Sequence, residues 1–160
     1  REIGFLGAVF MAGLTVGAIL GRWIAHLPNA QRILIRVLFG MAGFTFLFPF
    51  FLWGLSMIQP GHSIGLTVYG GLILVTGCLV GVVFPVAVAV LAERQSGDGG
   101  KVVAFADAAD HLGGALGAFL PGILLFPLFG VFWICVLLGV GLACVATGFL
   151  MATYLESPYF

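Results

Sequence analysis

Five long apolar runs separated by short polar breaks make up almost the whole of this chain, at about 3–23, 33–57, 64–92, 102–127 and 130–155. Each is long enough to cross the roughly 30 Å hydrocarbon core of a bilayer as a helix. Hydrocarbon offers the backbone no hydrogen-bond partner, so a spanning segment must be a helix or part of a closed barrel. The runs show no alternation of polar and apolar positions, which excludes the barrel. The sequence therefore predicts an all-α, polytopic membrane helix bundle of five transmembrane helices forming a single domain over 1–160.

The breaks carry turn chemistry. Residues 26–32 contain Pro28 and Asn29, 59–63 contain Pro60 and Gly61, and 96–100 read SGDGG. The junction at 127–130 is so short that the fourth and fifth spans are expected to form a tight antiparallel hairpin. Pro49, Pro85 and Pro121 lie inside spans, where a missing amide donor predicts kinks.

Short connections that hold Lys and Arg stay on the cytoplasmic side. Arg22, Arg32 and Arg36 bracket the first connection, and Arg94 and Lys101 bracket the third. The second and fourth have none, and Arg1 is the exception. This places the N-terminus outside and the C-terminus in the cytoplasm, in what is expected to be a bacterial inner membrane. Aromatic residues that favour the headgroup level agree. Trp23 and Tyr154 fall at predicted inner ends, and Trp53, Tyr69 and Trp133 near outer ends.

Composition excludes a soluble domain: of 160 residues, 62% are hydrophobic and 8% charged, with a mean hydropathy of +1.23, whereas about a quarter of a soluble domain is charged. The net charge is zero, and six scattered basic residues make no surface for nucleic acid. Cys78, Cys135 and Cys144 fall in apolar runs with no metal-binding spacing, so they read as small buried hydrophobes and no metal or cofactor is expected. The chain opens on Arg1 without a cleavable signal pattern, and its true N-terminus is expected upstream.

Helices in lipid associate through small residues that let backbones approach. Gly13, Gly17 and Gly21 in the first span, Gly77 and Gly81 in the third, and Gly113 and Gly117 in the fourth are the predicted packing stripes.

The fourth span carries the candidate chemistry. Asp107, Asp110 and His111, at i, i+3 and i+4, share one helix face that continues through Gly114 and Ala118. Starting the helix at Lys101 puts Asp107 roughly 9 Å and Asp110 roughly 13 Å along it. A carboxylate in the inner leaflet needs a partner, and Arg22 and Arg36 are the predicted cations on that side. A helix starting near Ala106 would instead make both acids first-turn residues, welcomed by the macrodipole. His111 reads either as a locally hydrogen-bonded side chain or as a ligand or proton carrier.

The stretch AADHLGGALGAFLPGILLFPLFG resembles a helix in the membrane portion of fused major-facilitator and spermidine-synthase proteins. VGVVFPVAVAVLAE is similar to the helix preceding it there, and FMAGLTVGAILGRWIA to the first helix of the repeat. The resemblance implies that Asp110 is the family-type aspartate, with His111 standing where an apolar neighbour is usual. The family's aminopropyl-transferring part is a soluble Rossmann-like domain, and no strand and glycine-rich cofactor loop of that kind occurs here. The resemblance thus implies a fragment of a longer fusion, or a membrane part that has become a separate subunit.

Three functions follow. The first is a non-catalytic scaffold or anchor in a membrane complex, whose partners are the bilayer and either other proteins or a second copy. The second is a transport module for a small molecule or a polyamine-like cation, using the acidic face of span four. The third is a quinone- or haem-associated subunit of an electron-transfer complex using His111, for which His26 and His62 are poorly placed. Hydrolase chemistry finds no support, since no serine has a nucleophile-elbow setting and the histidines are dispersed.

Overall fold

The computed structural model describes residues 2–59, 61–94 and 99–156, which are helical apart from the connections and contain no strand. Arg1, Pro60, most of the SGDGG connection and the last four residues lie outside the described residues. The helices are α1 (Glu2–Ala25), α2 (Ala30–Ile58), α3 (His62–Arg94), α4 (Gly99–Phe119) and α5 (Phe126–Glu156), with a π-helical segment, Leu120–Leu125, between the last two. Among the described residues, four separate helical runs are long and apolar enough to cross a membrane. The fourth, Gly99–Leu155, covers both of the last two predicted spans.

The first connection is closed by backbone bonds: the Leu27 amide donates to the Ile24 carbonyl at 3.0 Å and the Ala30 amide to Leu27 at 3.1 Å. At the second, Gln59 ends α2 in the left-handed region (φ 44°, ψ 56°), and its amide donates to the Leu55 carbonyl, satisfying a helix-end carbonyl. Four threonine hydroxyls inside the helices are satisfied by backbone carbonyls as well. Thr15, Thr67, Thr76 and Thr147 each donate to the carbonyl four residues back at 2.8–2.9 Å, so none presents an unpaired donor to an apolar surrounding.

The chain divides into two compact units. One comprises Arg1–Val37 and Phe50–Val90, the other Leu38–Pro49 and Leu91–Phe160. In the first, the predicted glycine stripes meet. A Cβ added at Gly13 would lie 2.5 Å from the Leu74 carbonyl oxygen and 3.2 Å from the Gly77 Cα. Added carbons at Gly17 and Gly81 would collide with the Cys78 and Leu14 carbonyls, and one at Gly21 would meet the Pro85 ring at 2.6 Å. The seam of α1 and α3 is therefore backbone against backbone, with Gly13, Gly17 and Gly21 buried. Beside it Leu34, Ile35, Val82, Val86 and Val90 are buried.

Pro85 does not interrupt α3, nor Pro49 α2, both of which run through. The ring of Pro85 instead seats on Gly21. The proline thus also serves as packing surface.

The second unit contains the largest departure from expectation. Span four was predicted to run to Pro127 and span five to start at Gly130. Instead α4 ends at Phe119, and Pro121 stands in the first turn of the π-helix. The wider π turn accommodates a residue that lacks an amide proton and crowds the preceding carbonyl, and the Phe126 amide donates to the Pro121 carbonyl five residues back. The break proper is one residue: Gly130 lies at φ 69°, ψ 172°, a region open essentially to glycine alone. Elsewhere in this unit Gly139 of α5 approaches the Ala42 carbonyl of α2, an added Cβ there standing 3.3 Å from it. Val102, Ile134 and Ala146 are buried.

Two substitutions separate these roles. Gly17→Ala and Gly81→Ala should each destabilise by about 1–3 kcal/mol, the usual cost of overpacking, while Gly40→Ala, at a position facing open space, should be neutral or slightly stabilising. Denaturant titration of the detergent-solubilised protein followed by circular dichroism reads both. Gly130→Ala should cost about 1–3 kcal/mol through backbone strain alone, since its surroundings are open, and the same titration reads it.

Candidate functional sites

Helix α4 starts at Gly99, so Asp107 and Asp110 stand in its third and fourth turns. The alternative that made them first-turn residues is thereby overturned, and macrodipole stabilisation, which fades within one turn, does not account for them. Asp110 lies roughly 16 Å along the helix from its first residue at 1.5 Å per residue.

Of the predicted cluster, Asp107 and His111 come together. The Nδ1 of His111 lies 2.9 Å from the Asp107 carbonyl oxygen and 3.6 Å from its Oδ1. A carbonyl only accepts, so Nδ1 carries the proton and Nε2 is left with a lone pair when the ring is neutral. Asp110 has no ion-pair partner among the described residues of its own unit. Arg22 and Arg36, expected to neutralise it, are exposed and belong to the other unit. The local reading of His111 thus holds for one ring nitrogen, and the other is free to engage a group outside the unit.

The surroundings of α4 are as informative as its acids. Every residue from Asp107 to Leu120 is exposed. Cβ atoms added at Gly113, Gly114 and Gly117 would meet nothing within 4 Å. The predicted stripe of Gly113 and Gly117 is present as a surface, but it packs on none of the described residues of its own unit. That contrasts with the seam of α1 and α3, where stripes of the same spacing touch.

A second polar cluster, not anticipated from the sequence, lies in the first unit. The start of α1, the end of α2 and the start of α3 enclose a cleft of about 390 Å³. Glu2 and Leu6 come from α1, Leu55, Ser56 and Gln59 from the end of α2, and His62, Leu66 and Tyr69 from α3. Glu2 Oε1 and His62 Nε2 are 3.0 Å apart. Ser56 donates its proton to the Trp53 carbonyl at 2.7 Å, so its oxygen can only accept from anything in the cleft. The signal for this site was in the topology. Glu2 is the one acid and His62 the one histidine at the ends remote from the basic connections, and consecutive helices must bring those ends together.

Among the described residues no three of His, Cys, Asp and Glu converge as a metal site would require. Searches of family models, curated proteins and solved structures give no match to this chain. The reading of function therefore rests on the geometry of these two clusters.

Proposed function

We propose that this chain is a non-catalytic, membrane-embedded scaffold subunit that docks a partner helix along α4. The observation that carries the proposal is the open glycine face at Gly113, Gly114 and Gly117 with Asp107, Asp110 and His111 at its head. Close backbone approach drives helix association in lipid, and the glycine seam inside the first unit illustrates what such a stripe does when occupied. An unpaired acid on a lipid-facing helix is costly. A partner bearing a cationic or hydrogen-bonding side chain offsets that cost, and His111 Nε2 offers it an acceptor.

In this reading the chain crosses the membrane five times. A straight helix over the 57 residues of Gly99–Leu155 would reach roughly 85 Å, nearly three times the hydrocarbon thickness of about 30 Å, and Gly130 supplies the interruption. All the basic residues except Arg1 then gather in the cytoplasm, with the N-terminus outside and the C-terminus inside.

Orientation is tested by single-cysteine labelling in intact cells, in a background lacking Cys78, Cys135 and Cys144. Cysteine at Gly61 should react with an impermeant maleimide from outside, and cysteine at Asn29 only after permeabilisation. The reverse pattern inverts the topology.

Docking is tested by placing cysteine at Gly117 for crosslinking in native membranes. A discrete adduct is expected, with a second copy of this chain or with another membrane protein. Adding Gly113→Leu to that cysteine variant should abolish it while leaving stability unchanged, because the space at Gly113 is open. Asp110→Asn should weaken it by roughly 3- to 18-fold, the span of measured interhelical hydrogen bonds. Absence of any adduct would sink the docking reading. Cation uptake into reconstituted vesicles that disappears in Asp110→Asn would move the assignment to a transport module.

A further inference from the structure

We propose that the cleft between the start of α1, the end of α2 and the start of α3 binds a primary ammonium group carried on an apolar chain. It belongs to the first unit and shares no residue with the face of α4, so it stands or falls independently of the docking reading.

Several polar groups in the cleft offer acceptors around one carboxylate. Glu2 gives one carboxylate oxygen to His62 at 3.0 Å, and its second oxygen has no partner among the described residues. Ser56 has committed its proton to the Trp53 carbonyl, leaving lone pairs alone to offer. Gln59 ends α2, so the last carbonyls of that helix, which lack intrahelical donors and carry the negative end of its dipole, border the cleft. The Tyr69 phenol, without a partner among the described residues, adds an oxygen and an aromatic face that attracts cations. Among the described residues of the lining, Glu2 is the one with a permanent charge, and none is Lys or Arg.

An –NH3+ group has three donors and no acceptor, which matches this set of acceptors. A carboxylate or phosphate would find donors in the His62 ring, the Gln59 amide and the first amides of α1 and α3, but it would face the Glu2 carboxylate, which repels an anion and attracts a cation. Leu6, Leu55 and Leu66 supply the apolar part of the lining, and the cleft lies at the ends of apolar helices. A ligand with an ammonium head and a hydrocarbon tail fits both. Two sources carry that chemistry: an aminophospholipid headgroup and a free long-chain amine.

The test uses the full chain purified in mild detergent and read by native mass spectrometry. Three probes are added separately: phosphatidylethanolamine, phosphatidylglycerol and dodecylamine. Wild-type protein is expected to retain the ethanolamine lipid, the amine or both, and to discriminate against phosphatidylglycerol. Glu2→Gln keeps the shape and should weaken retention roughly tenfold or more, as loss of a charge-assisted hydrogen bond does. Tyr69→Phe should weaken it less, and Asp107→Asn not at all. Glu2-dependent retention of the lipid alone assigns the site to the membrane headgroup, and of dodecylamine alone to free amines; each supports ammonium recognition. Equal retention of phosphatidylglycerol, or retention unaffected by Glu2→Gln, would overturn it. The circular dichroism spectrum of each variant confirms that the helices are intact.

Discussion

The contact between the backbones of α1 and α3 is the constraint on which the first unit depends. In an apolar solvent a leucine gains little by moving from lipid to protein, so the usual driving force for packing is nearly absent. What remains is dispersion between atoms brought unusually close, and this is available where side chains are missing. Gly13, Gly17 and Gly21 face Gly77 and Gly81 for that reason, and the Pro85 ring closes the lower end of the row. Much of the remaining surface is large and apolar: Ile3, Trp23, Trp53, Ile64 and Leu155, for example, are more than 60% exposed. Such a surface is a liability in water and unremarkable in hydrocarbon.

The close seam has a geometric by-product. By fixing α1 against α3 over three turns it also fixes where their ends emerge, and the chemistry of the cleft is assembled there. Glu2 and His62 are far apart in sequence, yet the same few glycines that let the helices touch set the distance between them. The second unit has no equivalent seam along α4. Among its described glycines only Gly139 comes close to another helix, at Ala42 of α2, and the acidic face of α4 is exposed.

Much of this was legible in the sequence. Hydropathy placed the first three helices within a few residues of their observed limits, since run length and flanking polar residues decide helix ends in lipid. The spacing of Gly13, Gly17, Gly21, Gly77 and Gly81 identified the seam correctly, because four-residue spacing of small residues has one structural use. The identical spacing of Gly113 and Gly117 did not yield a contact, since a stripe specifies a surface and not its occupant. The prolines show a related division. Their local effect on a helix is readable, but whether a ring finds a glycine to rest on, as Pro85 does, is a property of the neighbour. The cleft was missed because its polar residues are individually ordinary and were read one at a time.

Gly130 carries a consequence of handedness. Its dihedral angles are the mirror image of an extended conformation that ordinary residues adopt freely. The barrier to an L side chain there is thus one of chirality and not of room, for the position its Cβ would take is open. A D-alanine installed by semisynthesis would fit where its L-enantiomer does not, and by narrowing the freedom of the unfolded chain it would hold the break more firmly than the native residue.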